Sequence, residues 1–209
     1  MPQMPDPPAR IADLPEPERE RLTVRSDAAG LLRLAGHLAP VVILGWLIAR
    51  GGPGWYLFLL PQGVLLAFLF TLQHECTHRT PFASDRLNDW VGHAVGVVLI
   101  QPFPWFRYFH FAHHRFTNDP ERGPELGGLP KPESWGAFWL HLSALLYWRD
   151  KAVLLWSNAT GPARTAYLPD RVLPRLRREA RVLLAIYAGV AAVTLLISPV
   201  LLWMWLVPL

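Results

Sequence analysis

Five of the eight histidines of this chain fall into two short groups. The first group contains His74 and His78, and the second contains His110, His113 and His114. In a helix, residues three or four positions apart share one face, so each group would direct its imidazoles to one side. Neutral imidazole is a ligand for zinc, copper and iron. The two groups therefore predict a metal site built from these five histidines.

The first group also fits a second kind of metal chemistry. His74 and His78 enclose Glu75 in the pattern H-E-x-x-H, in which zinc peptidases use two histidines as ligands and the glutamate to activate water. A membrane-embedded zinc metallopeptidase is therefore an alternative. It would need a third ligand from another helix and would leave the second histidine group without a role. The single cysteine, Cys76, excludes a cysteine-based cluster within one chain.

The other three histidines stand alone. His37 lies in an apolar run and His141 in an aromatic one, so we expect both to serve in packing. His93 lies in the apolar segment 87–101, which is too short to cross a bilayer and is expected to re-enter it or to lie beside the helices. A ligand role for His93 stays an alternative to packing.

Long apolar runs must position these histidines, because 52% of the chain is hydrophobic and it has ten Trp residues. Residues 34–49 and 55–73 are free of charge, and each approaches the ~20 residues that a membrane-spanning helix needs. A third charge-free run, 182–209, is divided by Pro199 into a spanning part and a short remnant. The sequence predicts an all-α integral membrane helical bundle with four spans, the fourth of them truncated. Residues 1–30 are expected to form a disordered or amphipathic N-terminus, and 31–209 the membrane domain.

Basic residues flank the apolar runs, which explains the net charge of +4 without a nucleic-acid partner. By the positive-inside bias, the N-terminus and residues 74–181 face the cytoplasm, so both histidine groups do as well. The Ala-, Arg-, Leu- and Pro-rich composition favours a bacterial source and hence the plasma membrane.

The sequence resembles the membrane fatty acid desaturase family, whose histidine boxes follow H-x-x-x-H and H-x-x-H-H. Both boxes are intact here, and the runs Arg79-Thr80-Pro81-Phe82, Trp105-Phe106-Arg107-Tyr108-Phe109 and Arg115-Phe116-Thr117-Asn118-Asp119-Pro120-Glu121 add to the likeness. The resemblance is strong over residues 71–126. It implies a di-iron site that uses O2 to remove hydrogen from an unactivated C–H bond of a lipid acyl chain.

The same resemblance implies partners and supporting residues. Glu75, Asn118 and Asp119 are candidates to orient the ligating imidazoles. Electrons would come from a separate donor of the ferredoxin or cytochrome b5 type. Desaturation, hydroxylation and ketolation share these boxes, so the choice among them stays open. The family's third histidine box is missing, since no histidine follows His141. This predicts a fragment or a truncated product of a longer desaturase, with a catalytically inactive membrane subunit as the alternative.

Overall fold

A computed structural model describes residues 14–125, 131–161 and 165–209 of the chain. Over these residues the regular structure is helical throughout. The helices are α1 (Glu16–Thr23), α2 (Asp27–Arg50), α3 (Leu59–His78), α4 (Asp85–Val98), α5 (Phe103–Arg115), α6 (Trp135–Leu142), α7 (Leu145–Thr160) and α8 (Leu173–Leu196). Short 3-10 turns, Trp55–Phe58 and Asp170–Val172, lead into α3 and α8. The predicted all-α membrane bundle is confirmed.

Three segments are long and apolar enough to cross a membrane, namely Asp27–Arg50, Trp55–His78 and Asp170–Leu196. The first is longer than its apolar run because the Ser26 side chain caps the helix start by accepting from the amide of Ala29. It ends at Gly51, which takes the left-handed conformation with φ 64°. Apolar side chains such as Leu60 and Leu195 point outward and are 78% and 83% exposed. Outward apolar faces are expected where lipid is the solvent.

The residues after α8 fold back onto the bundle. They form a π-helical turn, Leu202–Leu206, and the Gln62 side-chain amide donates to the carbonyl of Met204 at 3.0 Å. The Trp205 indole donates to the carbonyl of Val98 at 2.7 Å. The backbone of Pro208 passes so close to Gly63 that a Cβ there would lie 2.3 Å from its carbonyl oxygen. The remnant predicted after Pro199 is therefore packed against α3 and α4.

The core lies mainly between α3 and α4, with α5 packed across one end. One cluster consists of Leu66, Leu69, Val95 and Leu99. A second cluster consists of Cys76, Phe82 and Phe103, and it adjoins the first histidine group because Cys76 lies between His74 and His78 in the chain. The segment 87–101 thus lies beside the long helices as part of α4 and its C-terminal turn, and α5 packs against it.

The N-terminal and middle regions show where sequence boundaries and helix boundaries differ. Residues 14–30 contain the exposed helix α1 and the start of α2, while residues 1–13 lie outside the described part. The aromatic segment 135–148 forms two helices, because Ala144 adopts φ 56° between α6 and α7. The prediction of a disordered or amphipathic segment over 1–30 stays untested as a whole.

Candidate metal centre

Two helices bring the histidine groups together. His74 and His78 occupy the last turns of α3, and His110 and His114 lie on α5. One ligand nitrogen of each lies within 4.8 Å of every other. The Nε2 atom of His110 is 2.8 Å from Nε2 of His78 and 2.9 Å from Nε2 of His114. Helical spacing thus brings together the two histidines of each helix, and packing of α5 against α3 brings the two pairs together into the four-histidine cluster.

The angle between the two helices is held by contacts around Cys76. The Arg107 guanidinium donates to the carbonyl of Cys76 at 3.2 Å and to the carboxylate of Asp89 at 2.8 Å. Its Cζ atom also lies 4.7 Å from the centre of the Phe103 ring. That ring rests on Gly92, where a Cβ would meet ring carbon at 2.3 Å. Gly92 on α4 and Arg107 on α5 therefore fix how closely α5, which carries His110, packs against α3.

The electrostatics of the cluster favour a cation. Burial and the neighbouring imidazoles, His74 and His114 first among them, lower the pKa of His110 to about 4. His110 is therefore neutral near pH 7 and offers a lone pair. Several neutral imidazole nitrogens facing one another cannot all be satisfied by sharing ring protons, whereas a metal ion would accept every lone pair. The donor set fits zinc, copper or iron.

Glu75 stands behind His74. Its Oε1 atom is 3.0 Å from Nδ1 of His74, and its other oxygen accepts from the hydroxyl of Thr80. A carboxylate on the far nitrogen of an imidazole orients the ring and strengthens it as a ligand. In a zinc peptidase the same glutamate would act on metal-bound water. Here one carboxylate oxygen contacts the His74 imidazole and the other accepts from the Thr80 hydroxyl.

His113 is not part of the four-histidine cluster. On a helix, positions i+3 and i+4 lie on opposite sides of position i. His113 and His114 therefore lie on opposite sides of His110, and His113 points away from the side that His114 occupies. Its Nδ1 atom lies 3.1 Å from Oε2 of Glu125, and its ring centre is 6.0 Å from that of His110. A ligand role for His113 stays a prediction.

Glu125 was not found by sequence reasoning. Its own backbone amide is the main reason that its pKa lies below the usual value, and His113 contributes to the shift. Its other oxygen accepts from the backbone amide of Asn118 at 3.2 Å. The sequence carries no periodic signal that pairs residues 113 and 125, because a loop connects them.

Asn118 and Asp119 shape that loop. Asn118 takes a left-handed conformation with φ 59°. The carboxylate of Asp119 accepts from the backbone amides of Glu121 and Arg122, each at 3.0 Å, and pairs with the Arg122 guanidinium. The structure thus places both residues in the turn that presents Glu125. The predicted role of their own side chains in orienting imidazoles stays untested.

The three lone histidines lie elsewhere. Nδ1 of His93 is 2.7 Å from a carboxylate oxygen of Glu179 on α8. Nε2 of His37 lies 3.1 Å from the carbonyl of Leu65, so this residue links α2 to α3. His141 is exposed near the end of α6. None of the three belongs to the four-histidine cluster that the described residues form.

A partly apolar cavity adjoins the cluster. Its volume is about 230 Å³. It is lined by Ala67, Phe70, Leu99, Gln101, Ala144, Tyr147, Trp148 and Leu209. The Phe70 ring connects the cavity to the metal centre, since its centre is 6.5 Å from the His74 ring and 5.4 Å from the Phe106 ring. The cavity is suited to part of an apolar chain, and the Phe70 ring lies between it and His74.

Comparison with known proteins agrees with this geometry. The chain is 30% identical over 148 residues to the sn-2 acyl-lipid omega-3 desaturase (ferredoxin), chloroplastic, of Arabidopsis thaliana, which covers 66% of this chain and 32% of that relative. It is 40% identical over 86 residues to the sn-1 oleoyl-lipid 12-desaturase of Arthrospira platensis, covering 39% of this chain and 24% of the relative. It is 27% identical over 203 residues to the omega-3 fatty acid desaturase, chloroplastic, of Brassica napus, and this match covers 88% of this chain and 48% of that relative.

The chain thus spans less than half the length of each of these relatives. No solved structure matches it. The family model described as fatty acid desaturase matches residues 53–209, which include α3, α5 and all four clustered histidines. The match covers most of the chain as well as the four-histidine cluster, and the chain therefore belongs to the fatty acid desaturase family.

Proposed function

We propose that the protein catalyses oxygen-dependent desaturation of a fatty acyl chain in a lipid, at an iron site held by its histidines. The observation that carries the proposal is the convergence of His74, His78, His110 and His114 beside an apolar cavity. Two hydrogens leave the acyl chain, and O2 takes them together with two electrons and two protons to form two waters. Hydroxylation of the same chain is the alternative outcome, since it needs the same oxidising site.

The four-histidine cluster would hold one iron ion. Iron bound there would supply the oxygen activation that an unactivated C–H bond requires. The resemblance implies two ions, and His113 is the described histidine placed to reach a second one, because its ring centre is 5.6 Å from that of His114. Glu75 and Glu125 would orient His74 and His113 from outside.

The cavity beside Phe70 would hold the acyl chain. Its walls from α3 and α4 are aliphatic or aromatic, and α7 closes the other side with Tyr147 and Trp148. Apolar walls bind a methylene chain and exclude water from the reacting carbon. Gln101 adds a polar side chain to the lining and donates a hydrogen bond to the buried side chain of Gln73 at 3.1 Å.

A separate protein would supply the electrons. The Arabidopsis relative carries ferredoxin in its name, and we propose a donor of the ferredoxin type, with one of the cytochrome b5 type as the alternative. The distribution of basic residues supports a site on the cytoplasmic side. The Ala-, Arg-, Leu- and Pro-rich composition supports a bacterial plasma membrane.

A zinc peptidase is less well supported by the geometry. Its glutamate must face the metal-bound water, but the carboxylate of Glu75 is held by the Thr80 hydroxyl and by Nδ1 of His74. A catalytically inactive membrane subunit would retain the fold and have no reason to retain the converging imidazoles.

Two measurements test the proposal together. The chain is expressed in a bacterial host, the host lipids are analysed by gas chromatography, and the detergent-purified protein is analysed for metals. We expect new unsaturated acyl chains and bound iron, both lost in His110→Ala. His141→Ala is the matched control, since its imidazole is exposed and outside the cluster.

Other results would contradict the proposal in different ways. Bound zinc that survives His110→Ala but not His74→Ala, with proteolysis that Glu75→Gln abolishes, would support the peptidase. Bound iron without any change in lipid composition would support the inactive subunit.

A further inference from the structure

An exposed tryptophan between two arginines stands out on the surface formed by α4 and α8. Arg86, Asp89, Trp90, His93 and Arg175 line a surface cavity of about 400 Å³. We name these five residues the Trp90 patch. The indole of Trp90 is 75% exposed. Tryptophan and arginine are the residue types that most often dominate binding at protein interfaces.

The charges of the Trp90 patch are unbalanced towards positive. Asp89 is paired with Arg107 at 2.8 Å, and His93 contacts Glu179 at 2.7 Å. Among the described residues, no carboxylate lies within 4.0 Å of the guanidinium nitrogens of Arg86 or Arg175. The Asp89 carboxylate is therefore paired with a cation within the protein, one oxygen of Glu179 contacts an imidazole, and two arginines flank the indole without a carboxylate partner. A surface of this kind attracts an acidic partner.

The Trp90 patch is linked to the first histidine pair through Arg107. Asp89 contacts Arg107, and Arg107 donates to the carbonyl of Cys76, which lies between His74 and His78. In addition, the His93 ring is 5.4 Å from the ring of Phe103, whose core cluster includes Cys76. A partner bound at Trp90 would stand two side-chain contacts away from the first histidine pair.

We infer that the Trp90 patch is the docking surface for an acidic, soluble one-electron carrier that reduces the metal centre. The inference rests on the proposed function, because only a redox reaction needs such a carrier. Each docking oxidises the carrier by one electron and reduces the metal centre by one. Two dockings supply the two electrons that O2 needs beyond those taken from the acyl chain.

The first experiment measures binding of a reduced plant-type ferredoxin to the full chain in nanodiscs. Arg86→Glu/Arg175→Glu is expected to weaken binding about tenfold or more at low salt, with the difference shrinking at high salt. Trp90→Ala is expected to weaken it about tenfold at either salt concentration. The matched control is Arg19→Glu/Arg149→Glu, which changes the net charge equally at exposed sites on α1 and α7. Equal weakening by the control would overturn the inference.

A second experiment separates docking from membrane contact, because Trp and Arg also anchor proteins at bilayer surfaces. Cys76 is buried and is the single cysteine, so Trp90→Cys introduces one accessible thiol. We expect a water-soluble maleimide to label Trp90→Cys in nanodiscs and ferredoxin to protect it. A thiol that is blocked without ferredoxin would show that the patch faces lipid and would overturn the inference.

Failure of the inference and failure of the proposed function give different results. Desaturation is driven either by ferredoxin or by dithionite with a viologen mediator. For Arg86→Glu/Arg175→Glu we expect the ratio of the ferredoxin-driven rate to the mediator-driven rate to fall about tenfold. An unchanged ratio contradicts docking at the Trp90 patch. Absence of product with either reductant in the unmodified chain contradicts the proposed function, while the binding and labelling results still decide whether the patch docks a carrier.

Discussion

The two sides of α5 hold their histidines by different means. His110 and His114 meet His74 and His78 across a contact between two packed helices, and His110 is buried. His113, on the same helix, contacts Glu125, which belongs to the loop after α5, and the His113 side chain is 36% exposed. Packed helices fix a position through many apolar contacts, whereas a loop fixes it through a few hydrogen bonds. We call the side with His110 and His114 the helix-held side and the side with His113 and Glu125 the loop-held side. The helix-held side is expected to have its final geometry before a metal ion binds. The geometry of the loop-held side is expected to depend more on the bound metal.

The largest expected effect separates the two sides directly. His110→Ala removes the nitrogen that lies 2.8 Å from Nε2 of His78 and 2.9 Å from Nε2 of His114. We expect the metal affinity to fall by more than about 100-fold, which exceeds the loss typical of a residue that only hydrogen-bonds a ligand. His113→Ala is expected to leave one ion bound. Metal titration of the apo-protein measures both. Equal loss in the two variants would show that both sides of α5 form one site.

A smaller effect tests the packing that holds the helix-held side. Gly92→Ala places a Cβ 2.3 Å from the Phe103 ring, so either the ring or α5 must move. We expect a destabilisation of about 1–3 kcal/mol, measured by thermal unfolding in detergent. Gly36→Ala is the control, because nothing lies within 4 Å of the added Cβ. If Gly92→Ala unfolds like the control, the depth of α5 is not set by this contact.

The two carboxylates that support histidines allow a finer comparison. Glu75 and Glu125 lie at nearly equal distances from their imidazoles, 3.0 and 3.1 Å. Glu75→Ala is expected to lower the affinity for the first ion about tenfold, because it loosens a histidine of the four-histidine cluster. Glu125→Ala is expected to lower it less. A larger effect of Glu125→Ala in metal titration would place His113 at the first ion.

The smallest effect concerns pH and vanishes near neutrality. His110 has a pKa of about 4 in the folded protein and 6.5 as its reference value. Between these values the unfolded chain binds more protons than the folded apo-protein, so the free energy of unfolding falls as the pH is lowered from about 6.5 to 4. His110→Gln should flatten this slope in urea unfolding at several pH values. An unchanged slope would mean that other groups dominate the acid sensitivity.

Local pattern was enough to predict much of this protein. The spacing of His74 and His78, and of His110 and His114, follows the helical repeat, and that repeat is a property of the backbone alone. The length of the apolar runs predicted the membrane bundle for the same reason, since a bilayer of given thickness requires a helix of given length. The role suggested for Glu75 also rested on its position next to His74 in the chain.

Tertiary structure decided what local spacing leaves open. Whether His113 joins His110 depends on the rotation of α5 about its axis, and that rotation is set by the fit of Phe103 on Gly92 and by the reach of Arg107 to Cys76. Glu125 meets His113 through a loop whose path no periodicity describes. These contacts join residues distant in sequence, and they form only when the side chains of different helices pack together. The sequence alone therefore identified the candidate ligands, and the packing of α3, α4 and α5 decided which of them meet.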